Sequence, residues 1–597
     1  MVSVGYNALG QLAKLTVDKP DEGWIRLRRL YDDHCAEIEY ASETEILLPW
    51  WSFLSLRKRL LYVVKRYSIE IKFEEKAKKL LQNAIDREET FIRVSEVKPL
   101  DEKDVREELV KVGFIRRLTP EQLRNVSRIA PMPGAATFSV PGAGKTTEAL
   151  AYFFFTKAEG TRLLVIAPIN AFSSWEEQLD ICMGEGKYEI IRLTGGLNNI
   201  SESLADKPDL MIMSYHQFAR IEVRNLVARY ITEKPTYLFL DESHRIKRGI
   251  EGKIGSMILS ISHLPVRKLI LTGTPLPNSL EDLVPQLNFL YPEIEVTSST
   301  VSSNIQSIYV RTTKRELNLP PVTHVITKVS MGPSQRRLYN LIRWEEARRA
   351  EKIISLGTKE RLRQMGRGVM RIILIASNPG ILASDPNFPH NDLLAEVLEE
   401  GDSTKVAWVC KRARELAGKG RKVIIWTSFV RNVELIANRL SDFGAEFIHG
   451  GVIAGSEEEE NTREAKLKRF HEDPNALVLV ANPAAAGEGI SLHTVCHNAI
   501  YLDRTYNAAH YLQSEDRIHR LGLPQDVETL IEIMMAKKSI DESINIRLMQ
   551  KIEMMSKVLD DRSLQINPIE YDPESEGFDE DDMNNYLKHL QESAPTL

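Results

Sequence analysis

The sequence predicts an α/β protein in which two parallel sheets, each flanked by helices, follow one another along the chain. Strand-length apolar runs alternate with helix-length polar stretches in two separate regions, and such runs are typical of strands buried on both faces. The first region opens with a glycine-rich turn, Ser139 to Thr147 (SVPGAGKTT), that lies between an apolar approach and a helix-forming run. An N-terminal α+β accessory domain, helical insertions and an acidic C-terminal tail are expected around the two sheets.

The length of the chain sets the expected number of domains. At ~100–200 residues per domain, a chain of 597 residues should hold several units. Shifts in pattern suggest these boundaries: an accessory domain at 1–110, a first α/β lobe at 111–296, a linker with helical protrusions at 297–400, a second α/β lobe at 401–560, and an acidic tail at 561–597.

The net charge neither supports nor excludes a nucleic-acid partner. The formal net charge is −6, yet residues 569–597 contain nine acidic residues and one basic residue, a net of −8, so the rest carries −6 minus −8, or +2. A basic cleft can lie within so neutral an average.

The cysteine pattern and the hydropathy of the sequence bear on the compartment in which the protein is expected. The four cysteines are scattered without a CxxC pair, which suits a reducing compartment and argues against a disulfide framework or zinc ribbon. His493, Cys496 and His497 lie close together, but a strand edge is favoured over a metal site there. No secretory signal and no membrane-length apolar run is recognised, so we expect a cytoplasmic protein without a membrane partner.

The glycine-rich turn has the features of a phosphate-binding loop. Gly142 and Gly144 allow positive φ, so that several backbone N–H groups can converge on one anion at a helix N-terminus. Lys145 would reach the β- and γ-phosphates, and the Thr146 hydroxyl would bind Mg²⁺. Ser139 occupies the place where the usual pattern has its first glycine, which a small residue can still fill.

Polar residues follow each predicted strand of the first sheet. The strands are predicted at Leu163–Ala167, Leu210–Met213, Tyr237–Leu240 and Lys268–Leu271, after the approach Ala135–Phe138. The residues that follow include Trp175, Ser214-Tyr215, Asp241-Glu242-Ser243-His244 and Thr272-Gly273-Thr274-Pro275. Ligands of parallel sheets bind at the carboxyl ends of the strands, so we expect a site at this edge.

The second α/β region has no phosphate loop of its own. Its strands are predicted at Val423–Trp426, Glu446–Ile448, Leu477–Val480, Ala499–Leu502 and Thr529–Ile533. It contains Gly487-Glu488-Gly489 and later Arg517 and Arg520, which would share one face of a helix because they are three residues apart.

Three other segments leave alternatives open. Trp50 and Trp51 stand beside a basic stretch and could stack bases, although a place in the core is favoured. The segment Ser334–Ile375 is helical in character and strongly basic. It is either a solvated helical face or a protrusion that faces DNA. The serine-rich stretch Thr297–Asn304 is interpreted as a loop or linker. Gln122 is a candidate reader of an adenine edge, because its amide can pair bidentately, although a surface glutamine is the default interpretation.

Assembled in order, these residues resemble the Swi/Snf-type double-stranded DNA translocases of helicase superfamily 2. The resemblance runs from about Leu118 to Leu559, leaving out the first 110 residues and the tail. Its matching blocks are LTPEQ, PGAGKTT, APINAFSSWEEQ, MSYHQF, LDESHRIKR, LTGTPLPNSLEDLVPQLNFLYP, VRTTKRELNLPP, SQRRLY, IIWTSF, AGEGISL, YLDRTYN and SEDRIHRLG. Departures are Ser139, Pro277 in place of a common glutamine, and Ser491 in place of a common asparagine.

The resemblance implies two RecA-like lobes that bind ATP and Mg²⁺, with catalytic roles for particular residues. Glu242 would activate water, Lys145 would neutralise phosphate charge, and Arg517 and Arg520 would act as arginine fingers. The implied nucleotide-binding set is Gln122, Pro141, Gly142, Ala143, Gly144, Lys145, Thr146, Thr147, Asp241 and Gly489, with Thr146 and Asp241 as metal ligands. The implied DNA contacts are Ser214, Thr272, Thr427 and Gly487.

The function expected from this resemblance is that of a DNA-dependent ATPase that translocates on duplex DNA and remodels protein–DNA complexes or DNA structures. The alternatives are a helicase that separates DNA or RNA strands, and a nucleotide-gated subunit of a larger DNA-processing or phage-defence complex. Other protein subunits could bind through the N-terminal domain or the tail.

Overall fold

The structure is a computed structural model, and it describes residues 1–35, 37–353, 358–453, 459, 461–486, 492–520, 522–523, 527–560 and 580–591. The chain divides into two compact units, Met1–Glu316 and Leu317–Leu597. Within the described part of the chain, no helix is both long enough and apolar enough to cross a bilayer.

The first unit begins with a small mixed sheet and three helices. The strands are β1 (Val2–Asn7), β2 (Leu12–Val17), β3 (Glu39–Ser42), β4 (Glu45–Pro49) and β5 (Ile71–Phe73), in the order β3-β4-β2-β1-β5. The helices are α1 (Glu22–His34), α2 (Trp50–Arg66) and α3 (Glu75–Arg93). All pairs are antiparallel except β1 with β5, so the predicted α+β character of this region is confirmed.

The paired tryptophans of α2 belong to the core of this small domain. Trp50 and Trp51 are 0% and 8% exposed, which confirms the favoured interpretation over base stacking. Further along α2, the buried Arg57 guanidinium pairs with Glu88 of α3 and donates to the carbonyl of Glu293 in the following domain. Buried charges are stable only when paired and hydrogen-bonded, and the contact with Glu293 links the accessory domain to the rest of the first unit.

The first unit continues with a seven-stranded parallel sheet. Its strands are β6 (Gly134–Thr137), β7 (Arg162–Ala167), β8 (Ile191–Leu193), β9 (Leu210–Ser214), β10 (Thr236–Asp241), β11 (Arg267–Leu271) and β12 (Tyr309–Val310), in the order β12-β6-β11-β10-β7-β9-β8. Every pairing is parallel. Each apolar run predicted as a strand in this region is confirmed within one or two residues.

Ten helices accompany this sheet in the described part of the first unit. They are α4 (Glu102–Lys111), α5 (Pro120–Ile129), α6 (Lys145–Thr156), α7 (Phe172–Met183), α8 (Leu197–Ala205), α9 (Tyr215–Phe218), α10 (Ile221–Glu233), α11 (Lys253–Ser260), α12 (Val284–Leu290) and α13 (Val301–Gln306). Short 3-10 turns lie at Val94–Glu96, Ile169–Ala171, Ser243–Ile246, Gly249–Glu251 and Leu280–Leu283. Helix α13 corrects the prediction of a loop at Thr297–Asn304, because Val301 and Ile305 are buried one turn apart.

The second unit is built on a six-stranded parallel sheet. Its strands are β13 (Val322–Val329), β14 (Val423–Trp426), β15 (Glu446–Ile448), β16 (Val478–Ala481), β17 (Asn498–Tyr501) and β18 (Thr529–Ala536), in the order β13-β18-β17-β14-β16-β15. All pairings are parallel. The five predicted strands are confirmed, whereas β13 at the edge, with alternating half-buried and exposed residues, was not predicted.

Helices cover this sheet and extend beyond it. They are α14 (Pro333–Ile353), α15 (Thr358–Ser377), α16 (Asn391–Glu399), α17 (Thr404–Ala417), α18 (Val430–Arg439), α19 (Arg463–Glu472), α20 (Pro483–Ala486), α21 (Ala508–Glu515), α22 (Ile540–Val558) and α23 (Glu580–Gln591), with 3-10 turns at Pro379–Ser384 and Ser441–Phe443. The helical character predicted for the basic segment 334–375 is confirmed by α14 and α15. The domain boundaries at 110, 296, 400 and 560 remain predictions.

The end of the acidic tail contributes a packed helix to the second unit. In α23, Asp582 is fully buried, and its carboxylate oxygens lie 2.9 Å from Arg547 Nε and 2.7 Å from Lys551 Nζ of α22. Met583 and Tyr586 on the same helix are also buried. This carboxylate therefore balances two buried cations.

We predict that Asp582→Ala destabilises the second unit by about 3–5 kcal/mol, because it removes the carboxylate that two buried cations share. Urea denaturation followed by circular dichroism measures the loss. Asn584→Ala, at an exposed position of the same helix, is the matched control and should change the unfolding free energy by less than ~0.5 kcal/mol. Equal stability of the two variants would contradict a structural role for α23.

Candidate functional site

The phosphate loop connects the end of β6 to the start of α6, and two glycines give it its shape. Gly142 and Gly144 have φ of 87° and 84°, a left-handed region that side chains rarely adopt. Gly144 is also the residue before the first turn of α6, and a Cβ placed there would lie 2.2 Å from the amide nitrogen of Gln122. Glycine at 144 is therefore required both by the backbone and by its neighbour.

Gln122 holds this loop from the preceding helix. Its Oε1 accepts from the N–H of Thr119 at 3.1 Å in a capping box, and its Nε2 donates to the carbonyl of Ala143 at 3.0 Å. The side chain is 4% exposed. Both ends of the amide are thus engaged within the protein, and contact with an adenine edge remains a prediction.

The lysine and threonines of the loop occupy different environments. Lys145 Nζ donates to the carbonyl of Ser139 at 2.9 Å, so the loop's own backbone holds the ammonium group. Thr146 is partly exposed at the start of α6, whereas Thr147 is buried and donates to Gln178 Oε1 at 3.0 Å. The arrangement fits a phosphate ligand beside Lys145 and Thr146, whereas the Thr147 hydroxyl is engaged in a hydrogen bond with Gln178.

The loop also packs against the turn that follows β11. A Cβ on Gly273 would lie 2.7 Å from Pro141 Cδ, so only glycine allows this approach. Because β11 pairs with both β6 and β10, the loop, this turn and the end of β10 are neighbours along one edge of the sheet.

Asp241 ends β10, and its carboxylate is fixed by two donors. Trp175 Nε1 donates to Oδ2 at 2.9 Å, and the N–H of Glu242 donates to Oδ1 at 3.0 Å. The Tyr215 hydroxyl donates to the Asp241 carbonyl at 2.6 Å. Helices α7 and α9, which follow β7 and β9, thus hold the end of β10, and the Asp241 carboxylate has one orientation.

Glu242 follows in a strained conformation. Its φ of 50° and ψ of 53° are left-handed, which costs a non-glycine residue free energy and is common where function fixes a side chain. The carboxylate lies 3.3 Å from His244 Nδ1 and accepts from the Thr272 hydroxyl at 3.2 Å. His244 Nδ1 and Thr272 Oγ1 are 3.0 Å apart, so the three side chains form one cluster that joins the ends of β10 and β11.

The pKa values of the two adjacent carboxyl groups are shifted in opposite directions. Burial, together with the negative charge of Glu242, raises the pKa of Asp241 above its ordinary value. Burial also opposes ionisation of Glu242, but the hydrogen bond and charge of His244, with the charge of Lys145, lower its pKa. A pair of carboxylates that repel each other in a buried site is a donor set that a divalent cation stabilises, so these residues fit Mg²⁺.

The hydroxyls predicted to bind DNA phosphates are directed into the protein. The Ser214 hydroxyl accepts from the N–H of Gln217 at 3.2 Å as a helix cap. Thr272 belongs to the Glu242 cluster, and the Thr427 hydroxyl donates to Asp503 Oδ2 at 2.7 Å. The three residues are at most 5% exposed, and the DNA contacts remain predictions.

The two predicted arginine fingers lie in the second unit, after helix α21. The expectation that they share a helix face is wrong, because α21 ends at Glu515 and the chain continues in turns with i→i+3 bonds such as Arg517 N–H to the Ser514 carbonyl. Arg517 Nε donates to the Gln513 carbonyl at 3.1 Å. Burial lowers the pKa of Arg520, opposed by the charge of Asp516. Gly487 and Gly489 lie outside the described residues.

Two functional side chains were not assigned from the sequence. Trp175 and His244 each contact one of the paired carboxylates. The signal for His244 was present in the DESH sequence, but the tryptophan reaches Asp241 from 66 residues away. Within the described residues, no three His, Cys, Asp or Glu side chains form a metal-binding group.

Comparison with known proteins identifies both α/β regions. Residues 138–306 match the SNF2-related domain, and residues 404–522 match the helicase conserved C-terminal domain. The CHD3-type chromatin-remodeling factor CHR7 of Arabidopsis thaliana is 25% identical over 430 residues, 67% of this chain and 34% of that protein. Nuclear protein STH1/NPS1 of Saccharomyces cerevisiae is 22% identical over 465 residues, 70% of this chain and 33% of that protein.

A solved structure also shows similarity to this chain. The Sulfolobus solfataricus SWI2/SNF2 ATPase core in complex with dsDNA is 19% identical, covers 84% of this chain and 99% of that chain, and gives a TM-score of 0.32. The present chain spans about a third of the length of the curated relatives named above. The two matched domains indicate an ATP hydrolase of helicase superfamily 2, and the chain is similar to Swi/Snf-type proteins of that superfamily.

Proposed function

We propose that the protein hydrolyses ATP in a DNA-dependent reaction, translocates on double-stranded DNA, and thereby remodels protein–DNA complexes or DNA structures. The observation that supports this most strongly is that Lys145, Asp241 and Glu242 lie at strand ends along the same edge of one parallel sheet. The similarity to a chromatin-remodeling factor favours duplex DNA as the polynucleotide.

In this proposal each residue of the first unit has a separate task. The phosphate loop binds the nucleotide through backbone N–H groups and the N-terminus of α6, and Lys145 exchanges its contact with the Ser139 carbonyl for phosphate oxygens. Thr146 and Asp241 hold Mg²⁺, which neutralises charge on the transferred phosphoryl group. Glu242, ionised and held by His244 and Thr272, orients the attacking water and accepts its proton.

The second unit supplies the remaining charge. Arg517 and Arg520 are proposed to act as arginine fingers that stabilise the charge developing in the transition state. Contacts with the phosphates of a duplex would let the protein move along DNA without reading its sequence. The basic helices α14 and α15 provide positive charge for such contacts.

Two other functions make different predictions. A strand-separating helicase would release single strands, and a nucleotide-gated subunit would turn over slowly even with DNA. The paired carboxylates and Lys145 favour an active hydrolase over the second alternative. The four free, buried cysteines favour a reducing compartment such as the cytoplasm.

The proposed function is tested by measuring steady-state ATP hydrolysis with duplex DNA, single-stranded DNA and RNA of equal length. We expect the largest stimulation by duplex DNA and no product in a strand-displacement assay run in parallel. Stronger stimulation by single strands, accompanied by displaced strands, would establish the helicase alternative instead.

Lys145→Ala and Glu242→Gln should each lower DNA-stimulated turnover by ~10²-fold or more, because each removes a charge from the reacting phosphates or water. Binding of labelled duplex, measured by fluorescence anisotropy, should persist. Lys187→Ala, a lysine after helix α7, is a control for loss of one positive charge in the same unit. Wild-type turnover in either site variant would remove the site assignment.

Arg520→Ala should reduce kcat on the order of 10³-fold while the KM for ATP changes little, since a finger acts on the transition state. Arg421→Ala, elsewhere in the second unit, serves as the matched control. A rise in KM with kcat unchanged would contradict the finger role, even if Lys145 and Glu242 prove essential.

A further inference from the structure

The root of the phosphate loop contains a fully buried polar network. Its members come from five different segments of the first unit and are at most 1% exposed. They are Asn125 of α5, Thr137 of β6, Ser139 of the loop, Glu148 of α6 and Thr312 after β12. Buried polar groups destabilise a fold unless they are hydrogen-bonded, so the contacts between these side chains determine how the loop is held.

Glu148 is the acceptor at one side of the network. Asn125 Nδ2 donates to Oε1 at 2.8 Å, and the Thr137 hydroxyl donates to Oε2 at 2.8 Å. Burial raises the pKa of Glu148 to about 7, against the effect of these two donors. Asn125 Nδ2 also lies 3.0 Å from the Thr312 hydroxyl, which connects helix α6 to the segment that follows β12.

Ser139 is the acceptor at the other side. Its Oγ accepts from the backbone N–H of Thr312 at 3.0 Å and lies 3.2 Å from the Thr137 hydroxyl. Its carbonyl accepts from Lys145 Nζ at 2.9 Å. One residue therefore contacts the catalytic ammonium group through its backbone and Thr312 through its side chain. Glycine, which the usual loop pattern has here, could make only the first of these contacts.

Thr312 belongs to the segment through which the chain leaves the first unit. Residues 309–316, here called the exit segment, begin with β12 and end at Glu316, the last residue of that unit. The N–H of Val140 donates to the Thr312 carbonyl at 3.0 Å, and Arg124 Nη1 lies 2.5 Å from Glu316 Oε1. The exit segment is thus fastened directly to the phosphate loop and to helix α5.

We propose that Ser139 is a positioning residue that couples the phosphate loop to the exit segment, so that nucleotide occupancy changes the constraint on residues 309–316. A phosphate group that draws Lys145 away from the Ser139 carbonyl removes one contact of Ser139. The Ser139 hydroxyl, which is bonded to the N–H of Thr312, then transmits the change to the exit segment. The inference rests on the proposed ATP hydrolysis for its kinetic consequence, but its structural consequence requires only nucleotide binding.

Hydrogen exchange tests the structural consequence without requiring turnover. A non-hydrolysable ATP analogue with Mg²⁺ should change amide exchange across residues 309–316 of the wild-type protein. In Ser139→Ala the same analogue should bind, but the change in 309–316 should be at least halved, while strand β9 behaves as in the wild type. Ser307→Ala removes a hydroxyl that donates to the Asn304 carbonyl, just before the exit segment, and should retain the wild-type response.

Kinetics tests the functional consequence. Ser139→Ala leaves a buried N–H of Thr312 without its acceptor, and the loss of one buried hydrogen bond corresponds to a ~5–30-fold fall in kcat with little change in the KM for ATP. Should Ser139→Ala fold poorly, Ser139→Gly removes the same acceptor and should lower kcat in the same way, whereas Ser139→Thr, which keeps a hydroxyl, should retain more of the wild-type kcat.

The outcomes separate this inference from the proposed function. Full exchange responses and wild-type kcat in Ser139→Ala and Ser139→Gly would overturn the coupling while leaving ATP hydrolysis intact. A loss of stability without any change in the exchange response or in kcat would likewise reduce the network to a structural role and overturn the inference. Absence of DNA-stimulated turnover in the wild-type protein would refute the proposed function alone, because the exchange experiment needs only binding.

Discussion

The parallel register of β6, β11 and β10 is the constraint on which the candidate site depends. These neighbouring strands end at the same edge of the sheet, so the residues that follow them meet although they are far apart in sequence. Lys145 follows the first strand and Thr272 the second, while Asp241 ends the third and Glu242 follows it. The helical flanks bury both faces of the sheet, which leaves this edge as the place where polar groups converge.

Polar groups at that edge are held by one another, which gives the site its shape before any ligand binds. Trp175 orients Asp241, and His244 with Thr272 holds Glu242 in its strained conformation. Preorganised groups of this kind need no rearrangement at the moment of reaction. The network of Ser139 and Glu148 continues the same principle beneath the loop, and there it reaches the last residues of the first unit.

The sequence predicted the sheets well because buried parallel strands leave a strong local signal. All nine strand runs named beforehand in the two α/β regions are present, and the phosphate loop follows its strand as expected. The edge strand β13 was missed because its residues are only half buried and its pattern is weak. The helix expected through Arg520 ends early, since the local i→i+3 bonds after Glu515 cannot be read from residue spacing.

Side-chain partners were the least predictable feature. Ser139 was noted only as a departure from a glycine pattern, and its partner Thr312 is 173 residues away. Thr427 was expected to face DNA, but its hydroxyl contacts Asp503 across neighbouring strands. The burial of Asp582 between two cations could not be inferred from a tail whose composition is dominated by acidic residues. Such contacts depend on the tertiary arrangement rather than on local pattern.

The account as a whole claims that ATP hydrolysis moves this chain along an intact duplex. A triplex-displacement assay tests that claim most directly: a third strand is paired to one end of a long duplex, and its release is followed after ATP is added. The account predicts ATP-dependent release of the third strand while the two duplex strands stay paired. Hydrolysis that leaves the third strand in place, or that separates the duplex strands, would contradict it.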